Sequence, residues 1–242
     1  IVGFTVYSWN LERSLYLAHR LKAQSPIRIV FGGPEVTADN PRLKGAAVDF
    51  LVFGEGEGVF RELLSDPKFW VRRSAVGTDD GFFASAPSPY LAGLLEPQLG
   101  NVLLLETQRG CPFRCGYCYY NKARRRVAVA PESVVLEAVD WARQHDIGEV
   151  YLLDPCLTAR PRLNGLLEKL AACNRARRIG FVSEIRAEAV DEDLADLFQA
   201  AGFLWFEIGL QSTNPVALKI MNRPTDLARF IAGARRLKQR DI

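Results

Sequence analysis

Three cysteines close together in the chain are the residues whose type and spacing most directly suggest chemistry. Cys111, Cys115 and Cys118 form a C-x3-C-x2-C array. Cysteine thiolates are the usual protein ligands of iron-sulfur clusters. Because three thiolates leave one iron of a four-iron cluster without a protein ligand, that iron could bind a cofactor or a substrate, as the open position of a catalytic zinc site does. The array therefore predicts an iron-sulfur site with one free corner.

A structural zinc site and a set of unrelated buried thiols are alternatives that remain open for these cysteines. A structural zinc site would need four ligands, usually at paired spacings, and the only two histidines, His19 and His145, are distant in the sequence. Three unrelated buried thiols would need no common partner. The total of five cysteines is odd, and the clustering is typical of metal ligands, so a framework of disulfides does not explain the pattern.

The apolar pattern around the cysteines predicts the elements that position them. Residues 102–107 have the pattern of a strand directly before the array, and three further pairs of helix and strand follow. Successive right-handed crossovers curl in the same direction, so the first four βα units of a barrel are the expected architecture for residues 101–242. The cysteine loop would then lie at the carboxyl end of a barrel strand, where such folds keep their chemistry.

Polar residues at the ends of the later strands are expected to face the same opening. Asp154 follows the second predicted strand, Glu184 and Arg186 belong to the third, and Glu207 and Gln211 belong to the fourth. The alternative is that these side chains pair with one another and only satisfy the barrel interior, since buried charges normally have partners.

The first part of the chain has a second series of strands and helices. Apolar runs near residues 1–6, 27–31 and 48–53 alternate with helical patterns, which predicts a small doubly wound parallel sheet over residues 1–64. Ligands of such sheets bind at the carboxyl ends of the strands. The periodicity then fades and prolines become frequent, so residues 65–100 are predicted to be a linker. The sequence therefore predicts an α/β protein with an incomplete Rossmann-like sheet followed by a partial barrel.

Composition excludes several classes of protein. The 31 basic and 28 acidic residues nearly balance, which gives no reason to expect nucleic acid as a partner, and the basic clusters at 122–126 and 175–178 are interpreted as solvated loops or helix ends. No apolar run approaches the ~20 residues that span a bilayer. We expect a soluble, cytoplasmic protein. We also expect a fragment of a longer chain, because Ile1 already lies in an apolar run.

The stretch ETQRGCPFRCGYCYY at 106–120 resembles the radical S-adenosylmethionine (SAM) superfamily, in which an aromatic residue, here Tyr117, precedes the last cysteine of the array. The resemblance implies that Cys111, Cys115 and Cys118 hold a 4Fe-4S cluster and that SAM chelates the fourth iron. It implies that an electron from the cluster then cleaves SAM. It also places Tyr117 and the backbone around Tyr119 against the adenine.

The same resemblance assigns further contacts with SAM. Similar proteins often use a Gly-Gly-Glu sequence at the end of the second strand to contact the amino group, and this chain has Leu153-Asp154-Pro155 instead. The contact would then involve Asp154 or nearby carbonyls. Glu184, Arg186 and Gln211 are implied to contact the ribose or the carboxylate, for which an arginine fork is well shaped.

Three segments of the first part of the chain resemble the cobalamin-binding domain that precedes many radical SAM barrels. They are VGFTVYSWN at 2–10, IVFGGPEVT at 29–37 and VDFLVFGEGEGVF at 48–60. The resemblance implies that Thr5, Tyr7, Gly32 and Gly33 admit the nucleotide tail of cobalamin, since glycine allows close approach of the backbone. The alternative is that these glycines only shape turns.

The expected function is a radical SAM enzyme that depends on cobalamin, with methyl transfer as one expected reaction. Its partners would be a small-molecule or peptide substrate and an external electron donor similar to flavodoxin or ferredoxin. Two alternatives remain open: a radical SAM oxidoreductase or cyclase that does not use cobalamin, and a non-catalytic metal-binding module.

Overall fold

The computed structural model describes residues 1–77, 82–85, 88–97, 101–118, 120, 127–176 and 178–242. The chain divides into two compact units, Ile1–Phe82 and Phe83–Ile242. Each unit contains a four-stranded parallel sheet, so the predicted α/β class with two successive parallel sheets is confirmed. None of the helices in the described part of the chain combines the length and the apolar character needed to span a bilayer.

The first unit is a parallel sheet with strands in chain order. Its elements are β1 (Val2–Thr5), α1 (Leu11–Gln24), β2 (Ile29–Gly32), β3 (Phe50–Gly54), α2 (Glu57–Ser65) and β4 (Ser74–Gly77). Short 3-10 helices at Pro41–Leu43 and Pro67–Arg72 precede β3 and β4.

The core of the first unit follows from its apolar pattern. The fully buried side chains of Phe31 and Phe50 come from the central strands β2 and β3. Leu11, Ser14 and Ala18 are the buried residues of α1, and their spacing of three and four residues places them on one helix face. This stripe packs the helix on the sheet.

Part of the segment predicted to be a linker belongs to the first sheet. β4 pairs in parallel with β3, from Leu51↔Ser74 to Gly54↔Gly77. The fading periodicity of this segment hid the strand because β4 has only four residues, two of them small. The predicted domain boundaries at residues 64 and 100 stay a prediction. In the structure, the boundary between the two compact units falls between residues 82 and 83 of the sequence.

The second unit is a partial βα barrel. Its elements are α3 (Phe82–Ser85, at the boundary), β5 (Val102–Leu105), β6 (Gln108–Arg109), β7 (Ala128–Val129), α4 (Glu132–Gln144), β8 (Glu149–Leu152), α5 (Leu163–Cys173), β9 (Gly180–Ile185), α6 (Glu192–Ala201), β10 (Phe203–Ile208), α7 (Pro215–Ile220) and α8 (Leu227–Lys238). The four long strands are parallel in the order β10-β9-β8-β5, and β6 pairs antiparallel with β7.

The core of the second unit lies between this sheet and its helices. Fully buried Leu103, Val150 and Phe181 come from the strands, and Leu166 and Leu170 come from α5. Each four-residue strand β5 and β8 buries alternate residues on this face. The opposite face of the sheet carries the polar residues described below.

Two differences from the predicted elements have local causes. The apolar pattern does not predict α7, which begins because the side chain of Asn214 accepts hydrogen bonds from the amides of Val216 and Ala217 ahead of a proline at the first turn. β5 is shorter than predicted because the amide of Thr107, instead of joining the ladder, donates a hydrogen bond to Asp154.

Candidate functional site

The three cysteines lie in the loop that follows β5. Cys115 is buried, Cys111 and Cys118 are partly buried, and all three are free thiols. The amide of Cys118 donates to the carbonyl of Cys115 over 3.0 Å, which turns the chain back within the array. The predicted position at the carboxyl end of the first barrel strand is therefore found.

Burial and the charges of other thiols both affect the pKa of Cys111. Burial raises the pKa of the Cys111 thiol, the backbone amide of Phe113 lowers it, and the charges of Cys156, Cys118 and Cys115 raise it further. Within the described ranges no group of three or more His, Cys, Asp or Glu side chains is arranged to hold a single metal ion. A mononuclear zinc site is thus not supported among these residues. A cubane is different, because its thiolates bind separate irons.

Asp154, directly after β8, anchors the start of the cysteine loop. Its Oδ1 accepts hydrogen bonds from the amides of Thr107 (2.8 Å) and Gln108 (2.7 Å), and its Oδ2 accepts one from the Thr107 hydroxyl. Burial raises the pKa of Asp154 to about 6, although these hydrogen bonds lower it. Both oxygens are engaged and the residue is fully buried. The predicted contact of Asp154 with SAM stays a prediction.

Arg160 completes this anchor from the loop after β8. Its Nη1 donates to the carbonyl and the hydroxyl of Thr107, and its Nη2 donates to the carbonyl of Ala130 over 3.1 Å. Burial lowers the pKa of Arg160, and the nearby charge of Asp154 raises it. The residues before the first cysteine are thus held by a buried carboxylate and a buried guanidinium.

A second anchor holds the middle of the array. The amide of Gly116 donates to the carbonyl of Met221 over 2.7 Å, and Asn222 Nδ2 donates to the carbonyl of Arg114 over 2.6 Å. Nη1 of Arg223 lies 3.7 Å from the sulfur of Cys115. The segment after α7 therefore contacts both neighbours of Cys115 and its thiol.

Arg186, which follows β9, contacts the cysteine loop at the aromatic ring of Phe113. Its guanidinium lies 4.4 Å from the centre of the Phe113 ring, a distance typical of a cation-π contact. Nη2 also donates to Glu188 Oε1 over 2.8 Å and to the carbonyl of Pro224. The structure thus brings Arg186 to the loop, with its charge already balanced by a neighbouring carboxylate.

The other predicted SAM contacts have different surroundings. Tyr117 is 49% exposed, and burial of the remainder raises the pKa of its hydroxyl, which interacts with Arg223 and Cys115. Gln211 is exposed and has a left-handed backbone with φ of 67°. Tyr119 and the basic cluster at 122–126 lie outside the described residues.

Glu184 belongs to an acidic group on the open face of the sheet. It is the register partner of Glu207 on β10, and Tyr151 on β8 interacts with both. Burial and the charge of Glu207 raise the pKa of Glu184, and burial with both carboxylates raises the pKa of Tyr151 to about 12. This face would accept a hydroxyl-rich or cationic group.

The first unit gathers its predicted site residues at the carboxyl ends of β1 and β2. Thr5 and Gly32 are register partners, and Gly33 follows with φ of 108°. A Cβ at Gly33 would lie 2.8 Å from the backbone of Val6, so only glycine fits. Tyr7 stacks on Trp9, with ring centres 4.5 Å apart.

Several residues that shape the site are not among those predicted from the sequence. Thr107 and Arg160 belong to the first anchor, and Asn222 and Arg223 belong to the second. The ring of Phe113 contacts the guanidinium of Arg186. Asn222 and Arg223 follow the array by about a hundred residues, and no spacing in one sequence links them to it. Phe113 lies inside the array, so among these residues it is the one whose position in the sequence could have indicated a role in the site.

Comparison with protein families gives two matches that cover successive parts of the chain. A family model described as the radical SAM superfamily matches residues 105–242, which is more than half of the chain. A model described as the B12 binding domain matches residues 1–64.

Known relatives include two methyltransferases and a cyclase. The chain is 29% identical over 260 residues to the cobalamin-dependent radical SAM methyltransferase TokK of Streptomyces tokunonensis, covering 92% of this chain and 38% of TokK. It is 29% identical over 192 residues to a 2-(S-pantetheinyl)-carbapenam-3-carboxylate methyltransferase of Streptantibioticus cattleyicolor, covering 67% and 28%. It is 27% identical to an anaerobic magnesium-protoporphyrin IX monomethyl ester cyclase of Rubrivivax gelatinosus, covering 100% and 49%. The chain thus spans less than half the length of each relative.

Solved structures show the same fold. The radical SAM methyltransferase TsrM from Kitasatospora setae, solved with cobalamin and a 4Fe-4S cluster, matches all of this chain and 56% of its own, with a TM-score of 0.74 and 16% identity. OxsB, a cobalamin-dependent SAM radical enzyme, matches 99% of this chain and 39% of its own, with a TM-score of 0.73 and 18% identity.

Proposed function

The chain belongs to the radical SAM superfamily, and from this premise we propose that it forms part of an enzyme that uses a 4Fe-4S cluster to cleave SAM reductively, with cobalamin as a second cofactor and methyl transfer as the reaction. The observation that carries the proposal is the loop of three free cysteines, anchored on one side by Asp154 and on the other by the segment after α7. An anchored loop keeps its thiols available for a ligand.

The residues present fit a cluster. The donor set is three free thiols in one short loop, and thiolates are the ligands that iron-sulfur clusters use. Two buried polar atoms beside the loop, Gln108 Oε1 and Arg223 Nε, have no hydrogen-bond partner among the described residues. Buried polar atoms are normally satisfied, so unsatisfied ones next to the thiols support a site that a bound group completes.

Cys111, Cys115 and Cys118 would hold the cluster. When bound, the cluster would supply one electron, received from an external flavodoxin- or ferredoxin-like donor, for reductive cleavage of a sulfur-carbon bond of SAM. The chain's own part would be to orient the three sulfurs and to keep the loop partly buried. Burial matters because solvent exposure is one of the factors that set the reduction potential of a cluster.

Residues around the loop would position SAM. Arg186 would present its guanidinium to the carboxylate, Glu184 would accept a hydrogen bond from a ribose hydroxyl, and Tyr117 with the adjacent Tyr119 would lie against the adenine. Gln211 and Asp154 complete the proposed set, with carbonyls near Asp154 as acceptors for the amino group. The open-face position of Glu184 and the proximity of Arg186 to Phe113 support these assignments.

The first unit would bind cobalamin at the ends of β1 and β2. The match to the B12 binding domain and the absence of a side chain at Gly32 and Gly33 support this site, with Thr5 and Tyr7 as contacts for the nucleotide tail. Cobalamin would serve as carrier of the methyl group. TokK and the carbapenam methyltransferase, whose names state methyl transfer, support this reaction over others, with a small molecule as the substrate.

Metal analysis and product analysis test the proposal. Protein reconstituted anaerobically with iron and sulfide is expected to hold about four irons per chain and to convert SAM to 5'-deoxyadenosine or S-adenosylhomocysteine in the presence of a reductant. Cys115→Ala is expected to lose the cluster and both products. Cys173→Ala, which removes an exposed free thiol on α5, is the matched control and is expected to keep both. A wild-type protein that binds one zinc and no sulfide would reject the proposal.

A second function is supported by the similarity to the cyclase of Rubrivivax gelatinosus. In that case the chain would be part of a radical SAM cyclase or oxidoreductase. Protein that makes 5'-deoxyadenosine, retains no cobalamin and makes no S-adenosylhomocysteine would favour this reaction over methyl transfer.

A further inference from the structure

The guanidinium of Arg223 lies against the thiol of Cys115. Arg223 is only 8% exposed, and its Nη1 lies 3.7 Å from the Cys115 sulfur in the geometry of a donated hydrogen bond. Its Nη2 donates to the carbonyl of Gly209, which follows β10. Arg223 therefore reaches the cysteine loop from the far end of the partial barrel.

The backbone on both sides fixes this contact. The carbonyl of Met221 accepts from the amide of Gly116, and Asn222 donates to the carbonyl of Arg114. Asn222 has a left-handed backbone with φ of 47°, a conformation that asparagine tolerates better than most residues. These hydrogen bonds hold the backbone of the segment after α7 beside the cysteine loop, and the bond from Nη2 to the carbonyl of Gly209 directs the guanidinium of Arg223 toward the Cys115 sulfur.

The charge of Arg223 has no carboxylate partner in the part of the chain that the structure describes. Its partners are the carbonyl of Gly209, the thiol of Cys115 and the hydroxyl of Tyr117, none of them a carboxylate, and its buried Nε has no partner among the described residues. A buried cation costs several kcal/mol unless an anion lies nearby. Arg186, by contrast, is paired with Glu188. An anionic group bound at Cys115 would supply the partner that this guanidinium lacks among the described residues.

We propose that Arg223 is a positioning residue for the cluster: it holds the Cys115 sulfur by an N–H···S hydrogen bond, and its positive charge makes the cluster easier to reduce. The inference rests on the proposed function, because it requires Cys115 to be a cluster ligand. Reduction adds one electron to an anionic cluster, and the extra negative charge is stabilised by a nearby cation. Net charge and hydrogen bonds to the sulfurs are known determinants of cluster potential, and burial strengthens both effects.

A redox titration of the reconstituted protein tests this role. At a fixed ambient potential, Arg223→Gln is expected to lower the ratio of reduced to oxidised cluster at least tenfold, which corresponds to about 59 mV for a one-electron couple. Arg223→Lys keeps the positive charge, so its ratio of reduced to oxidised cluster is expected to stay close to that of the wild type. Arg229→Gln removes an exposed arginine from α8 and is the matched control, with the wild-type ratio expected.

Several outcomes separate this inference from the proposed function. An Arg223→Gln protein that holds four irons and titrates like the wild type overturns the role of Arg223 alone. A wild-type protein without a cluster, or a Cys115→Ala protein with an intact one, overturns the proposed function. A folded Arg223→Gln protein that cannot hold the cluster, with Arg223→Lys still holding it, supports the inference.

A histidine variant makes the charge adjustable within one folded protein. Arg223→His introduces a side chain that loses its positive charge as the pH rises through its pKa, which is about 6.5 for an unperturbed histidine. Its cluster should therefore become harder to reduce than the wild type as the pH rises from about 5.5 to about 8.5. A difference from the wild type that is the same at both pH values contradicts the electrostatic role, and this test remains available if Arg223→Gln does not fold.

Discussion

The carboxylate of Asp154 accepts a hydrogen bond from the Thr107 amide over 2.8 Å and another from the Thr107 hydroxyl. These contacts join the end of β8 to the start of the cysteine loop, 47 residues earlier. The loop is thus positioned by a neighbouring strand, and its cysteines can stay free for a ligand.

Removing this carboxylate should destabilise the second unit. Asp154→Ala leaves the amides of Thr107 and Gln108 without their acceptor in a buried place, and we expect a loss of about 3 kcal/mol or more in the free energy of unfolding measured with urea. Thr107→Val, which removes only the hydroxyl, should cost about 1 kcal/mol. Asp140→Ala removes a carboxylate from an exposed ion pair on α4 and should change stability by less than about 0.5 kcal/mol. Equal losses for Asp154→Ala and Asp140→Ala would show that the anchor is unimportant.

The raised pKa of Asp154 predicts a particular pH dependence of stability. Burial raises this pKa from 3.8 to about 6, so between these values the folded protein binds a proton that the unfolded chain has lost. The contribution of Asp154 to stability should therefore fall as the pH rises from about 4 to about 6 and stay constant above that. We expect the free energy of unfolding of the wild type, relative to that of Asp154→Asn, to decrease over this range in urea titrations. A relative stability that increases over the same range would mean that the pKa is lowered instead.

The backbone at Gly33 should tolerate no side chain. Alanine there combines φ of 108° with a Cβ 2.8 Å from the Val6 backbone, so Gly33→Ala should cost about 1–3 kcal/mol and weaken retention of added cobalamin. Gly58→Ala is the control, because no atom lies within 4 Å of its Cβ and alanine in α2 should stabilise the helix by about 0.5–1 kcal/mol. Thermal unfolding and absorbance of bound cobalamin measure the two effects. Normal stability and normal retention in Gly33→Ala would exclude the proposed close approach at this site.

For SAM binding, the planar shape of the Arg186 guanidinium should matter more than its charge. Lysine cannot stack on Phe113 and bond to Glu188 and Pro224 at the same time, so Arg186→Lys should weaken SAM binding about tenfold in equilibrium dialysis of the reconstituted protein. Arg143→Lys changes an exposed arginine on α4 and should bind SAM like the wild type. Unaltered SAM affinity in Arg186→Lys would remove Arg186 from the proposed set of contacts.

The features that could be predicted from the sequence are local ones. Cys111, Cys115 and Cys118 lie in one short loop, so their spacing alone indicates a shared ligand, and the repeated strand and helix patterns indicate the α/β class. β4 escaped prediction because four residues carry too weak a pattern. Arg160 and Arg223 escaped because each contacts the loop only through the folding of the chain, from 53 and 108 residues away. The sequence placed Asp154 at the end of the second barrel strand, but only the structure reveals that its carboxylate is buried and bonded to Thr107.

The most direct test of the proposed cluster is electron paramagnetic resonance of the reduced, reconstituted protein with and without SAM. We predict a signal from a 4Fe-4S cluster that changes when SAM is added, because an iron without a protein ligand is free to bind it, and no such signal in Cys111→Ala, Cys115→Ala or Cys118→Ala. A cluster signal that SAM leaves unchanged, or one that survives the loss of any of these three cysteines, would contradict the proposed site.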